Sequence, residues 1–249
     1  MIYEGLDFDD VLIEPIPSKV NSREDVDLSV NLGVLKLKIP IIASPMKGIV
    51  SPELIIKLSE LGGIGILHRF YEDESIWVKD INNLEESLIP YGASLGLNDW
   101  NKAEVILNNN TTIICVDVAN GYTKAVLDFC EKIANIIKYN KLTTLLMAGN
   151  VATYQGALNL EKVGVDLVRV GIGSGTLCTT RNMTGIGVPQ ITAIQNCSNV
   201  SSYTVADGGI RNSGDVVKAL VAGADVVMIG TSFGKTEESA HNGIIYGMA

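Results

Sequence analysis

The stretches "EKVGVDLVRVG" (161–171) and "ALVAGADVVMIG" (219–230) decide the fold of this chain. Each begins with the end of an amphipathic segment, continues through a glycine and finishes as a short apolar run that ends on glycine. A glycine just past a helix, followed by a nearly continuous apolar run, is typical of a helix leading into a buried parallel strand. Two units of such similar sequence predict a fold built by repeating one helix–strand unit.

The same alternation runs through the chain from about residue 40 onward. Eight units in roughly 200 residues favour a closed (β/α)8 barrel, an α/β fold, over an open doubly wound sheet. The predicted strands span 39–46, 63–68, 91–97, 112–119, 143–149, 167–173, 202–208 and 225–230, and the predicted helices include 51–62, 122–139, 153–164 and 213–223. We predict one catalytic domain over residues 1–249. Only 19 residues follow the last strand and they contain no convincing eighth helix, so we expect either that the barrel stops before its eighth helix or that the natural protein continues past Ala249.

The composition of the chain argues against nucleic-acid binding and membrane association. The formal net charge is −9 and no stretch is rich in Lys and Arg, so nucleic acid and anionic membrane surfaces are not expected partners. No apolar run is long enough to span a bilayer, and the acidic N-terminus does not resemble a signal peptide. The four cysteines lack metal-type spacing, which predicts a reducing, cytoplasmic location. Three of them are expected to be small core residues: Cys115, Cys130 and Cys197.

Polar residues and glycines follow nearly every predicted strand. A barrel places its active site at these carboxyl ends. The candidates are Ser44, Met46, His68, Arg69, Asp117, Asn150, Gly171, Asp207 and Gly230. The alternative is that the strands simply end in polar turns. His68 is expected to bond a backbone carbonyl rather than to catalyse a reaction.

Two glycine-rich turns, "ADGGI" (206–210) and "IGTS" (229–232), follow the last two strands. Loops at these positions often bind phosphate through exposed backbone N–H groups. The candidates for such contacts are Gly208, Gly209, Gly230 and Thr231. Asp207 is placed to accept hydrogen bonds from two ribose hydroxyls, which indicates a nucleotide. The alternative is that the glycines serve only tight turns.

The segment "GIGSGTLCTTR" (171–181) places Cys178 among glycines and threonines in a long loop. Covalent catalysis needs an accessible thiolate, and a loop can bring one to a substrate. Closely spaced glycines also let carbonyl groups converge on a hard cation. A cysteine in a loop is more often incidental, but this context favours a catalytic thiol.

Several motifs together resemble the family of inosine monophosphate dehydrogenase and guanosine monophosphate reductase. The motifs are "GIGSGTLCTTR", "TGIGVPQ", "AGNVAT", "DFDDVLIEP", "IASPM" and "ADGGI", and the resemblance runs from about Leu6 to Met248. It implies a barrel that binds a purine nucleotide monophosphate, GMP or IMP, and a nicotinamide cofactor, NADPH or NAD. It also implies a potassium ion and a homotetramer.

The resemblance assigns roles to positions of this sequence. Cys178 is the expected nucleophile at purine C2, and Thr180 is expected to help activate the leaving group or water. The expected substrate contacts are Ser44, Met46, Thr176, Asp207, Gly208, Gly209, Gly230, Thr231, Gly247 and Met248. The expected cofactor contacts are Arg69, Asp117, Asn150 and Gly171. The carbonyls expected to hold potassium are those of Gly173, Gly175 and Cys178.

The motifs favour the reductase within this family. Family dehydrogenases usually carry a pair of CBS modules after the second strand, where this chain has only about 20 residues between "LHRF" (67–70) and the third strand. "DVANGY" (117–122) is also more like the reductases. "GVPQITAI" (187–194) and "GNVATYQGA" (149–157) fit a dehydrogenase equally well.

The end of the sequence leaves two alternatives to a GMP reductase open. The Arg-Tyr pair that dehydrogenases use to activate water is not found between Thr231 and Ala249. The glutamate that reductases use after a "YGM" segment is not in the sequence, which ends "YGMA". The alternatives are therefore an IMP dehydrogenase without CBS modules and a catalytically silent nucleotide-binding barrel.

Overall fold

The computed structural model describes residues 4–175 and 180–240. Eight parallel strands form a closed barrel, in which the last strand pairs with the first. A hairpin of β1 (Val30–Leu32) and β2 (Leu35–Leu37) precedes the barrel strands β3 (Ile41–Ala43), β4 (Ile64–Leu67), β5 (Gly92–Leu95), β6 (Ile113–Asp117), β7 (Leu145–Val151), β8 (Leu167–Val170), β9 (Tyr203–Asp207) and β10 (Val226–Ile229). The predicted (β/α)8 fold is confirmed.

Helices connect the strands on the outside of the barrel. They are α1 (Pro52–Glu60), α2 (Glu74–Glu86), α3 (Trp100–Leu107), α4 (Lys124–Tyr139), α5 (Tyr154–Lys162), α6 (Thr180–Thr184), α7 (Gln190–Cys197) and α8 (Ser213–Val221). Ser51, Thr123 and Thr153 cap three of them by accepting a backbone N–H bond, as their positions in the sequence predict. Between β10 and residue 240 the helical structure is a 3-10 turn, Phe233–Lys235. None of the helices described is long and apolar enough to cross a membrane.

The strands are buried on both faces, and each face belongs to a different apolar cluster. One cluster fills the barrel interior, and the other lies between the strands and the helices. Cys115 lies in the interior cluster, while Cys130 in α4 and Cys197 in α7 belong to the cluster between the strands and the helices. All three thiols are free and buried, and burial raises the pKa of each to about 12. They are core residues, as predicted.

The hairpin of β1 and β2 covers the amino end of the barrel. Leu32, Leu35 and Leu37 are buried and join the interior cluster. The amide of Lys38 donates to the carbonyl of Gly62, just before β4. This hairpin was not predicted, and it protects the apolar side chains at the strand starts from water.

The two similar stretches of sequence form the same local structure. Asp166 precedes β8 and Asp225 precedes β10, and each carboxylate accepts a hydrogen bond from the neighbouring strand. The donors are the backbone amides of Leu146 in β7, at 2.8 Å, and Thr204 in β9, at 2.7 Å. The backbone amide of Asp166 donates in return to the carbonyl of Leu146, and that of Asp225 donates to the carbonyl of Thr204. The repeated aspartate therefore fixes the register at the start of two strand pairs.

Candidate active site

A cavity of about 380 Å3 lies at the carboxyl ends of the barrel strands. This volume is in the range of small-molecule sites. Apart from His68, every candidate residue that the structure describes lines it: Ser44, Met46, Arg69, Asp117, Asn150, Gly171, Gly173, Gly175, Thr180, Asp207, Gly208, Gly209, Gly230 and Thr231. The remaining predicted residues, Thr176, Cys178, Gly247 and Met248, lie outside the described residues. The barrel thus brings residues from distant parts of the sequence to one cavity.

A buried arginine joins two of the predicted acidic residues beneath the cavity. Arg169, in β8, donates from Nη1 to Asp117 Oδ1 at 2.7 Å and from Nη2 to Asp207 Oδ2 at 2.7 Å. Its side chain is only 6% exposed. Nη1 also contacts the sulfur of Cys115 at 3.5 Å. The ends of β6, β8 and β9 are thereby tied together by one side chain.

The acidic side chains of Asp117 and Asp207 stabilise the charged form of Arg169. Burial opposes the charged form of Arg169, but the adjacent carboxylates of Asp207 and Asp117 hold its pKa well above the ordinary value. Arg169 thus lies between two acidic side chains, each of which accepts a hydrogen bond from its guanidinium. Sequence analysis missed Arg169. The signal was a lone arginine within the apolar strand "LVRVG", which needs a buried counter-charge.

Asn150, at the end of β7, is a second hydrogen-bond donor to Asp207. Its Nδ2 donates at 2.8 Å both to Asp207 Oδ2 and to the carbonyl of Gly171. Asn150 and Arg169 thus converge on one oxygen of the Asp207 carboxylate. Among the described residues nothing donates to the other oxygen, Oδ1, which leaves it available to a ligand's hydroxyl groups.

The two glycine turns after β9 and β10 hold unused backbone donors. Gly208 and Gly209 adopt φ angles of +98° and +82°, a left-handed conformation that favours glycine. Within the described part of the chain, the amides of Gly209, Gly230 and Thr231 have no acceptor. Buried or half-buried amides usually have partners, so adjacent unused N–H groups favour an anion as the missing acceptor.

The carboxyl ends of β8 and β9 approach each other closely. Gly171 has φ +147°, and a Cβ at this position would lie 2.1 Å from the carbonyl oxygen of Asp207. Gln190, which is fully buried, bridges the same strands by donating from Nε2 to Val170 O at 2.8 Å and to Asp207 O at 3.3 Å. Sequence analysis missed Gln190. Its position directly after the proline of "GVPQ" was the available signal.

Arg69 forms part of the cavity wall at the end of β4. Its guanidinium lies 4.2 Å from the centre of the Phe70 ring and 3.7 Å from Asp99 Oδ2. The neighbouring His68 is buried, and its Nδ1 accepts from the amide of Phe70 at 3.2 Å. The His68 ring stacks on Tyr71 with centroids 4.5 Å apart. His68 is not one of the described residues that line the cavity.

The potassium site stays a prediction. Gly173 and Gly175 line the cavity, and Gly173 has φ +76°. The third expected ligand, Cys178, lies outside the described residues. Among residues 4–175 and 180–240, no cluster of three or more His, Cys, Asp or Glu side chains is arranged to hold a metal ion.

Comparison with known proteins identifies the family. The model of the "IMP dehydrogenase / GMP reductase domain" matches residues 5–248. The chain is 34% identical to inosine-5'-monophosphate dehydrogenase of Cryptosporidium parvum, over 96% of this chain and 70% of that protein. It is 38% identical to GMP reductase of Onchocerca volvulus (92% of this chain, 66% of that protein) and 35% identical to GMP reductase of Caenorhabditis elegans (98% and 73%).

This chain therefore belongs to the IMP dehydrogenase/GMP reductase family. Its relatives carry both names at similar identity, and those relatives are oxidoreductases of purine nucleotides.

Proposed function

We propose that this protein is a GMP reductase that converts GMP to IMP and ammonia with NADPH. The observation that carries the proposal is the combination of Asp207 with the glycine turns in one cavity. The carboxylate offers a free oxygen to ribose, and the amides of Gly209, Gly230 and Thr231 offer unused donors to phosphate.

The cofactor side of the cavity has groups that fit a polar ligand. Asp117 gives one carboxylate oxygen to Arg169, which leaves Oδ2 for a ligand. The Nε of Arg169 is buried and has no partner among the described residues. Buried polar atoms usually have a hydrogen-bond partner, which favours a polar ligand here, such as one with ribose hydroxyls or a carboxamide. When bound, the reduced nicotinamide supplies a hydride.

The proposed chemistry begins at Cys178. Its thiolate forms a bond to C2 of GMP, and the bond from C2 to the exocyclic nitrogen breaks. The nitrogen leaves as ammonia, protonated near Thr180, which lines the cavity. After C2 has gained a hydride, the C2–S bond breaks and its electron pair returns to the sulfur, releasing IMP. GMP, NADPH and two protons thus give IMP, NADP⁺ and ammonium.

The connection between β4 and β5 supports the reductase over the dehydrogenase. Residues 68–91 contain α2 and no inserted module, and "DVANGY" begins at Asp117 on the cavity wall. An IMP dehydrogenase is the second candidate, because "GVPQITAI" and "GNVATYQGA" suit it equally and family dehydrogenases match as well as reductases do. Potassium at the carbonyls of Gly173, Gly175 and Cys178, a homotetramer and a cytoplasmic location complete the proposal.

Nicotinamide absorbance in potassium buffer distinguishes the candidates. GMP with NADPH and IMP with NAD are the two reaction mixtures. Loss of absorbance in the first mixture is expected. A gain in the second identifies a dehydrogenase instead. If neither absorbance changes while GMP or IMP still raises the melting temperature, the chain is a catalytically silent nucleotide-binding barrel.

A further inference from the structure

Arg181, in the short helix α6, connects parts of the chain that are far apart in sequence. Its Nη2 donates to the carbonyl of Val188 at 2.8 Å, and its Nη1 donates to Asp7 Oδ2 at 3.3 Å. The side chain is 36% exposed. It therefore joins the segment after β8 to the N-terminal part of the chain.

The stem of Arg181 passes between two glycines, one on each side of the segment that contains the proposed nucleophile. A Cβ at Gly173 would lie 2.3 Å from Arg181 Cγ, and a Cβ at Gly187 would lie 2.7 Å from the same atom. Neither position has room for a larger residue while Arg181 keeps this conformation. Both glycines are thus adapted to the arginine stem, a requirement separate from any turn geometry.

Asp7 presents a fixed carboxylate to Arg181. Its Oδ1 accepts from the amide of Phe8 at 3.0 Å, and its own amide donates to Asp10 Oδ2 at 2.7 Å. Phe8 is 2% exposed, and its carbonyl accepts from Lys218 Nζ at 2.8 Å. The turn at residues 7–10 is therefore held rigidly against the barrel. A side chain bonded to this turn has a fixed anchor.

We propose that Arg181 is a positioning residue for the reaction at Cys178: it packs against Gly173 and Gly187, which lie on either side of Cys178 in the sequence, and it bonds Asp7. For turnover this inference rests on the proposed function, since Cys178 is there the nucleophile. A half-exposed ion pair adds little to stability, so its removal should change geometry rather than folding. Misplacement of a reacting group by about 1 Å costs up to about a hundredfold in rate.

The test compares Arg181→Met, Arg181→Lys and Asp7→Asn with a matched control, Asp9→Asn. Asp9 lies in the same turn but pairs with Arg211 rather than with Arg181. Both aspartate variants remove one negative charge, and asparagine at position 7 can still accept the Phe8 amide. We expect Arg181→Met to lower kcat by about tenfold to a hundredfold, with less than about a twofold change in the KM for GMP. Arg181→Lys keeps the stem and one donor and should recover part of the loss.

A second readout does not depend on turnover. The rate of Cys178 alkylation by iodoacetamide is measured against pH, with peptide mass spectrometry to separate it from the three buried cysteines. The profile should change in Arg181→Met and Asp7→Asn and match the wild type in Asp9→Asn. The proposal is overturned if all four variants keep the wild-type alkylation profile. It is also overturned if Asp7→Asn and Asp9→Asn change that profile equally. If Arg181→Met does not fold, Asp7→Asn decides.

The experiments distinguish a failure of the proposed function from a failure of the role proposed for Arg181. A wild-type protein without GMP- or IMP-dependent turnover contradicts the proposed function, while the alkylation profiles still decide the role of Arg181. A wild-type protein with turnover that none of the variants alters contradicts the role of Arg181 alone.

Discussion

Arg169 Nη2 and Asp207 Oδ2 lie 2.7 Å apart in the buried floor of the cavity, on neighbouring strands. The same oxygen accepts from Asn150, so the orientation of the Asp207 carboxylate is set before any ligand binds. A preorganised acceptor avoids the cost of ordering the side chain during binding. The ribose-binding role proposed for Asp207 therefore depends on Arg169.

Replacement of Arg169 by Met should destabilise the protein strongly. It leaves Asp117 and Asp207 partly buried without their shared cation, and removing one partner of a buried pair costs about 3–5 kcal/mol. Urea denaturation at pH 7 measures the change in the free energy of unfolding. Lys124→Met, which breaks the exposed pair with Asp128, is the control, with an expected cost below about 0.5 kcal/mol. A change of similar size in both variants would contradict the buried role of Arg169.

The repeated aspartates before β8 and β10 should make stability depend on pH. Burial raises the pKa of Asp166 and Asp225 above 3.8 in the folded protein, so the folded state binds these protons more tightly than the unfolded chain. Their contribution to the free energy of unfolding therefore falls as the pH rises from below 3.8 through the raised pKa. Asparagine keeps the acceptor and removes the charge.

The Asp166→Asn and Asp225→Asn variants should thus gain stability relative to the wild type between acid and neutral pH. Urea denaturation at several pH values between 3.5 and 7 measures this difference. Alanine at either position removes the acceptor for a strand amide, with an expected loss of about 1–3 kcal/mol. If the stability difference between an Asn variant and the wild type is the same at every pH, burial does not raise the pKa of that aspartate.

Gly171→Ala should disturb the meeting point of β8 and β9. The new Cβ would lie 2.1 Å from the Asp207 carbonyl oxygen, at φ +147°. We expect a loss of about 2–3 kcal/mol and weaker nucleotide binding, because the carboxylate of Asp207 moves with its backbone. Gly185→Ala is the control, since φ is +69° there and no other heavy atom lies within 4 Å. It should cost only about 1 kcal/mol and leave binding unchanged.

Cys178→Ser should abolish turnover by at least about a thousandfold while leaving nucleotide binding nearly intact. The hydroxyl is a far weaker nucleophile than a thiolate at neutral pH. Nicotinamide absorbance measures turnover, and the GMP-induced shift in melting temperature measures binding. Unchanged turnover in this variant excludes the covalent mechanism.

The phosphate site predicts a difference between a nucleotide and its nucleoside. GMP at about 100 times its dissociation constant should add about 2.7 kcal/mol to the free energy of unfolding. Guanosine at the same concentration should add much less, because it lacks the anion that the amides of Gly209, Gly230 and Thr231 would bind. Thermal unfolding with each ligand measures the effect. Equal shifts indicate that these turns do not bind phosphate.

The strands and most of the cavity were predictable because each depends on local sequence. A parallel strand buried on both faces needs a continuous apolar run, and a residue directly after such a run lies at the barrel mouth. The hairpin was not predicted, since strands of three residues, such as Val30–Leu32, are too short to show a period. Arg169 was missed because its partners lie 52 and 38 residues away and meet it only when the barrel closes.

The contacts of Phe8 limit the order in which parts of this protein can fold during synthesis. Phe8 packs against Gly209, and its carbonyl bonds Lys218, so its burial requires residues translated about 200 positions later. At bacterial-to-eukaryotic elongation rates of about 5–20 residues per second, that interval is on the order of tens of seconds. Until residues 209–218 have been made, Phe8 therefore lacks these native contacts. The turn at residues 7–10 can therefore complete its native contacts only after residues 209–218 have been made.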